Sequence, residues 1–182
     1  MLPIENTMKL ISLVDLETTG LDPRTCEIIE MAVIVFDADS FEEIERYETK
    51  VLPEHIETAS QKALLINGYN EKDWKGAVSL RDAMKELAVR VDGTQLLAQN
   101  VVFDYGFLEA AEHETEIKLN FMRPCLDLPS IAWGIIPHEK VQSWSLKTLC
   151  AYLRVPPEDS VHRAMGGAQA AFEVYKKLMH RV

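Results

Sequence analysis

Apolar positions crowd the first third of the chain in strand-like runs. "LISLVD" (residues 10–15) is nearly continuous in apolar side chains, and the pattern predicts a first strand over residues 9–15. A strand without polar alternation is one covered on both faces, so it is expected near the middle of a sheet. "EIIEMAVIVFD" (27–37) is rich in β-branched residues, and "EEIERYETKV" (42–51) alternates more weakly. Joined by a turn around Asp37–Phe41, these two runs predict a hairpin.

From about residue 56 the pattern turns helical. Leu80, Met84, Leu87 and Val91 recur at offsets of 0, 4, 7 and 11, the stripe of an amphipathic helix. "TQLLAQN" (94–100) reads as a short buried strand, leading into a helix with Phe103, Phe107, Leu108 and Ala111 on one face. "RPCLDLPSIAWG" (123–134) reads as a further short strand followed by a helix. "SWSLKTLCAYLRV" (143–155) is helical, with Ser143 or Ser145 as N-cap and a stop at the two prolines that follow. A last helix, 163–179, carries Ala164, Ala168, Phe172, Tyr175 and Met179. Three strands first, then helices alternating with short strands, imply an α/β fold: a mixed sheet with helices on its faces.

Composition changes this picture little. A chain of 182 residues, 47% hydrophobic and without repeats or linker-like tracts, is expected to form one domain over residues 1–182. No apolar run approaches the roughly 20 residues of a membrane helix. The N-terminal residues lack the basic start, apolar core and small-residue cleavage site of a secretory signal, so a cytoplasmic protein away from membranes is expected. Cys26, Cys125 and Cys150 are far apart and form no CxxC pair. That argues against a disulfide framework or a zinc site, leaving the plain role of small apolar residues. The net charge of −10, from 19 basic and 29 acidic residues, is not that of a protein coating long nucleic acid. It leaves room for an enzyme that grips a few nucleotides at a strand end through metal ions.

Candidate chemistry begins where the first strand ends. In "DLETTG", Asp15 and Glu17 lie two apart, so both side chains point to one face. Two carboxylates side by side repel unless a proton or cation lies between them, and Mg²⁺ is held by such oxygens together with substrate phosphate. The plainer alternative is a pair of solvated acids at a turn. Asp104, in "AQNVVFDYGFL", falls in the first turn of a helix, where an acid is also favourable for ordinary reasons. Asn100 just before it can be an ordinary turn residue. His162, in "SVHRAMGGAQAAF", stands at the entry to the last helix; it is either a general base or a structural histidine.

Order and context sharpen these three signals. D-x-E-T-T-G closes a first strand, N-x-x-F-D opens a helix some 85 residues later, and H-R-A opens the last helix. From Leu10 to about Leu178 the chain resembles the DEDDh family of 3′→5′ exonucleases, which includes ribonuclease T and bacterial polymerase proofreading subunits. The resemblance implies a ribonuclease H-like fold, a five-stranded mixed sheet flanked by helices. It implies two divalent metals, Mg²⁺ or Mn²⁺, about 4 Å apart. Asp15 would bridge both, Glu17 would help hold one, and Asp104 would act through bound water. His162 would activate the attacking water. Thr18 and Thr19 would meet the terminal nucleotide and Leu21 would press on its base, near Phe103 and Phe107, with Asn100 part of the same motif. Such stacking tolerates any base.

The third motif departs from the family's H-x-A-x-x-D. Here the stretch reads His162, Arg163, Ala164, Met165, Gly166, Gly167, Ala168, so the fourth acid is replaced by Gly167, and the nearest acid downstream is Glu173. Two glycines early in a helix cost roughly 1 kcal/mol each relative to alanine. Three readings stay open: they admit another segment close to the helix, one metal binds weakly, or the chain is an altered copy of an active gene. The sequence therefore supports an exonuclease acting on 3′ ends of single-stranded DNA or RNA, with impaired activity. The alternative is a catalytically inactive module on the same fold that binds strand ends or docks on a polymerase. A homodimer and a purely structural subunit are further options.

Overall fold

The structure, a computed structural model, describes residues 9–158 and 160–180. The signal-peptide reading rests largely on residues 1–8, outside the described residues. Five strands form one sheet: β1 (Leu10–Thr18), β2 (Ile28–Asp37), β3 (Glu43–Lys50), β4 (Gln95–Ala98) and β5 (Met122–Asp127). Their spatial order is β3-β2-β1-β4-β5, which puts the apolar first strand at the centre, as its pattern requires. β1, β2 and β3 are antiparallel neighbours, whereas β4 and β5 run parallel to β1. The weak alternation of β3 has a simple cause: it is an edge strand, exposed along most of its length.

Two helical layers cover the sheet. Ile11 and Leu13 of β1 face α4 (Leu128–Ile135), α5 (Leu146–Leu153) and α6 (Ala164–Met179), in a core where the rings of Phe36 and Phe172 lie 4.6 Å apart. Val14 and Leu16 face the opposite layer, α2 (Leu80–Val91) and α3 (Val101–Thr115), where Met84, Leu87 and Val91 supply the expected stripe. A short α1 (Gln61–Asn67) is capped by Ser60 and ends at Gly68 in the left-handed region, φ 65°. The Asn67 amide donates to the Thr18 carbonyl at 3.1 Å, tying α1 to the end of β1. No described helix is long and apolar enough to cross a membrane. Cys150 is buried, Cys26 and Cys125 are half-buried, and none forms a disulfide.

One detail corrects the sequence reading, and another settles an alternative it left open. β1 continues to Thr18 rather than ending at residue 15, because Asp15, Leu16 and Glu17 pair with Ala32, Met31 and Glu30 before a register shift. Of the two serines weighed as the α5 cap, Ser145 accepts from the Thr148 amide at 3.4 Å, while Ser143 bonds the Thr148 hydroxyl at 2.7 Å.

The topology makes one crevice. From β1 the chain turns to β2 on one side, and from β4 it crosses to β5 on the other, so the carboxyl ends of β1 and β4 flank a switch point. Ligands of α/β sheets seat at such points because the connecting loops diverge there. Leu13, fully buried beneath α6, holds β1 in place for this purpose. Leu13→Ala should lower unfolding free energy by about 2–5 kcal/mol, read as a drop in the urea midpoint with unchanged slope.

Candidate active site

Asp15 and Glu17 stand on the same face of β1 as Ile11 and Leu13, where the apolar floor under α6 gives out. α6 crosses directly above them. A Cβ at Gly167 would lie 2.6 Å from Asp15 Oδ2 and 3.1 Å from Oδ1, so only glycine admits this approach with Asp15 so oriented. Opposite Glu17 in the β1–β2 register is Glu30, buried and paired with Arg163 at 2.9 Å. The Arg163 guanidinium also lies 5.1 Å from the centre of the Trp74 ring, which fixes the start of α6 beside His162.

Asp104 arrives from the other layer. Asn100 takes a left-handed conformation, φ 66°, that turns the chain from β4 into α3, and Asp127 accepts from the Val101 amide at 3.1 Å. One turn into the helix, Asp104 is 2% exposed and its Oδ1 has no hydrogen-bond partner. Gln99 is similar: its amide donates to the Trp144 carbonyl at 3.2 Å, but its buried Oε1 is unpartnered. His162 enters from a loop held by its amide, which donates to the Ile66 carbonyl at 3.0 Å, and its side chain remains 46% exposed.

These pieces meet in one cavity of about 400 Å³, lined by Asp15, Glu17, Asp104 and His162 together with Phe103 and Gly167. Burial first, then the charges of Asp104 and Glu17, hold the Asp15 carboxyl well above the ordinary carboxylate range. Burial, then Glu30 and Glu158, push Glu17 up to about 7. Burial raises Asp104 as well, against the pull of backbone amides at its own residue and Leu16. Three acids with so little water and no cation among them favour protonation.

The remaining residues named from the sequence lie elsewhere. Thr18 and Thr19 are buried in the turn, where the Thr18 hydroxyl donates to the Gly20 carbonyl at 2.6 Å and Thr19 accepts from the Glu27 amide at 2.8 Å. Their hydroxyls shape the turn rather than face the cavity. Leu21 is 84% exposed beyond it, and Asn100 is exposed. Phe107 is buried against Phe103, ring centres 5.0 Å apart, and lines a separate depression rather than the cavity itself. Conversely, Gln99, Lys147 and Glu158 line the cavity without having been singled out in the sequence. Glu158 follows two prolines that read only as a helix stop, and nothing local marks it. Lys147 sits in the first turn of α5, where its only signal is a cation inside an otherwise acidic cleft.

A model of the RNase_T family, described as exonuclease, matches residues 13–175. The chain belongs to this exonuclease family. Among curated relatives, the PolC-type DNA polymerase III of Thermotoga maritima is 27% identical over 165 residues, 91% of this chain but 11% of that protein. The ribonuclease T of Baumannia cicadellinicola is 27% identical over 183 residues, covering 92% of this chain and 82% of its own length. The exonuclease chain thus spans about a tenth of the polymerases it matches. Among solved structures, the nuclease domain of 3′hExo, a DEDDh family member bound to rAMP, superposes with a TM-score of 0.77 at 17% identity, over 97% of this chain and 94% of that one. The ribonuclease H-like fold anticipated from the motifs is therefore the fold of this family member.

The donor set suits a hard divalent cation. Its groups are carboxylate oxygens, and its Asp104 Oδ1 is orphaned. Among the described residues no three His, Cys, Asp or Glu side chains are already gathered closely enough to hold a metal ion by themselves.

Without metal, the acids make stability depend on pH. Glu17 keeps its proton to about pH 7 when folded, against an ordinary value of 4.5. Its contribution is therefore fully present below 4.5 and lost as pH rises through about 7. In EDTA the melting temperature should fall between about pH 5 and pH 8, and Glu17→Gln should flatten that fall, as followed by calorimetry.

Proposed function

We propose that this exonuclease-family chain hydrolyses phosphodiester bonds at the 3′ ends of single-stranded DNA or RNA. The observation that carries the reading is the convergence of Asp15, Glu17, Asp104 and His162, from three parts of the fold, on one cavity at the sheet's switch point. Asp15, Glu17 and Asp104 would hold Mg²⁺ or Mn²⁺. When bound, such cations stabilise negative charge on the phosphodiester and the leaving 3′ oxygen. Exposed Leu21 and half-buried Phe103 offer apolar surface to a terminal base of any identity. Lys147 places a positive charge beside the cleft for a phosphate. His162, half-exposed at the cavity wall, takes the proton from the attacking water.

Activity is expected to be lowered, because α6 carries Gly167 where a carboxylate would complete the acidic set. The same feature favours the second reading, an inactive module that binds strand ends or serves a polymerase. The two separate on 5′-labelled single-stranded DNA and RNA in Mg²⁺ and Mn²⁺. A 3′-shortening ladder is expected, slowed by about 10²-fold or more in Asp15→Asn and by about 10²–10⁴-fold in His162→Ala. Retained binding of 3′ ends with no ladder in either metal would instead make it a binding module.

A further inference from the structure

Resting on the proposed metal-dependent function, we propose that Glu158, in the loop before α6, supplies to the bound cation the carboxylate that α6 does not. The packing at the start of α6 is the geometric reason. At Gly167 a Cβ would collide with the Asp15 carboxylate, and at Gly166 a Cβ would lie 3.9 Å from the Glu158 Cβ. Only Gly167 is demanded by its surroundings, with Asp15 beneath it; at Gly166 a side chain would meet the Glu158 stem at ordinary contact distance, which places Glu158 against the same turn of α6. A side chain at Gly167 would displace Asp15, so an acid cannot enter there without Asp15 turning away.

Glu158 also reaches the right place. It lines the cavity that Asp15, Glu17, Asp104 and His162 share, with 22% of its side chain exposed. Its carboxylate makes no hydrogen bond among the described residues. Its carboxylate lies 3.7 Å from His162 Nδ1, too long for a hydrogen bond. Pro156 and Pro157 fix the backbone dihedrals immediately before it, so a loop residue is delivered with less conformational freedom than most. An independent sign of a missing positive ligand is Asp104 Oδ1, buried and unpartnered in the same cavity.

The test is Mn²⁺ binding by the whole chain, measured from the electron paramagnetic resonance of free ion, in low salt and in about 0.5 M salt, where through-space attraction is screened. Wild type, Asp15→Asn, Glu158→Gln and Glu173→Gln are compared, Glu173 lying outside the cavity and paired with Lys176 at 2.8 Å. Glu158→Gln is expected to bind Mn²⁺ about tenfold or more weakly at both salts, while Glu173→Gln matches wild type. Equal binding by Glu158→Gln and wild type, with a 3′ ladder still produced, would overturn the Glu158 assignment and leave the exonuclease reading standing. A loss that disappears in high salt would also overturn it, reducing Glu158 to a distant charge. Failure of wild type itself to bind Mn²⁺ would overturn both readings together.

Discussion

Like charges brought together where water is scarce are the constraint around which this molecule is organised. Asp15 and Glu17 share a face of the central strand, and Asp104 closes on them from the opposite layer with one oxygen lacking any partner. Burial and these like charges together raise the cost of ionisation, so the site favours protonation. Such an arrangement does not stabilise a fold; it is carried by the rest of the fold. The continuous cores on both faces of β1, from Leu13 to Phe172 on one side and from Val14 to Phe107 on the other, supply the rigidity that keeps the acids close.

Positive charge near the site is placed with equal economy. Arg163 does not enter the acidic cavity; it turns to Glu30 on β2 and to the face of Trp74, whose indole donates to the Ile29 carbonyl at 2.8 Å. This anchors the start of α6 against the antiparallel half of the sheet. It also leaves His162, the preceding residue, at the cavity wall. Lys147 approaches from α5. The crevice is therefore acidic at its floor and edged by one cation, a pattern suited to a ligand that brings phosphate and divalent metal together.

The two glycines of α6 link these observations. In a helix they forgo roughly 1 kcal/mol each relative to alanine. Here the Asp15 carboxylate fills the space beneath Gly167, whereas at Gly166 a side chain would meet the Glu158 stem only at ordinary contact distance. The position that looks in the chain like a deleted acid is, in three dimensions, closely approached by the Asp15 carboxylate itself.

Much of this was legible in the residues alone. Apolar continuity marked β1 as central, the hairpin and the amphipathic stripe of α2 followed from periodicity, and D-x-E, N-x-x-F-D and H-R-A named the acids and histidine that the fold gathers. These signals are local: alternation, helical spacing and a turn are set by neighbours along the chain. The course of β1 through Glu17 was not legible, because strand pairing with Glu30 outweighs the polar character of those residues. Nor were the inward bonds of the Thr18 and Thr19 hydroxyls, the distance of Phe107 from the cavity, or the arrival of Glu158. Those depend on contacts between segments far apart in the chain, and a carboxylate nine residues before Gly167 carries no mark in sequence that a loop will lay it beside Asp15. The sequence by itself determined which strands and helices form and which acids are available. Only the tertiary structure decided which of them share one cavity, since burial and like-charge proximity exist only once the sheet has brought its strand ends and α6 together.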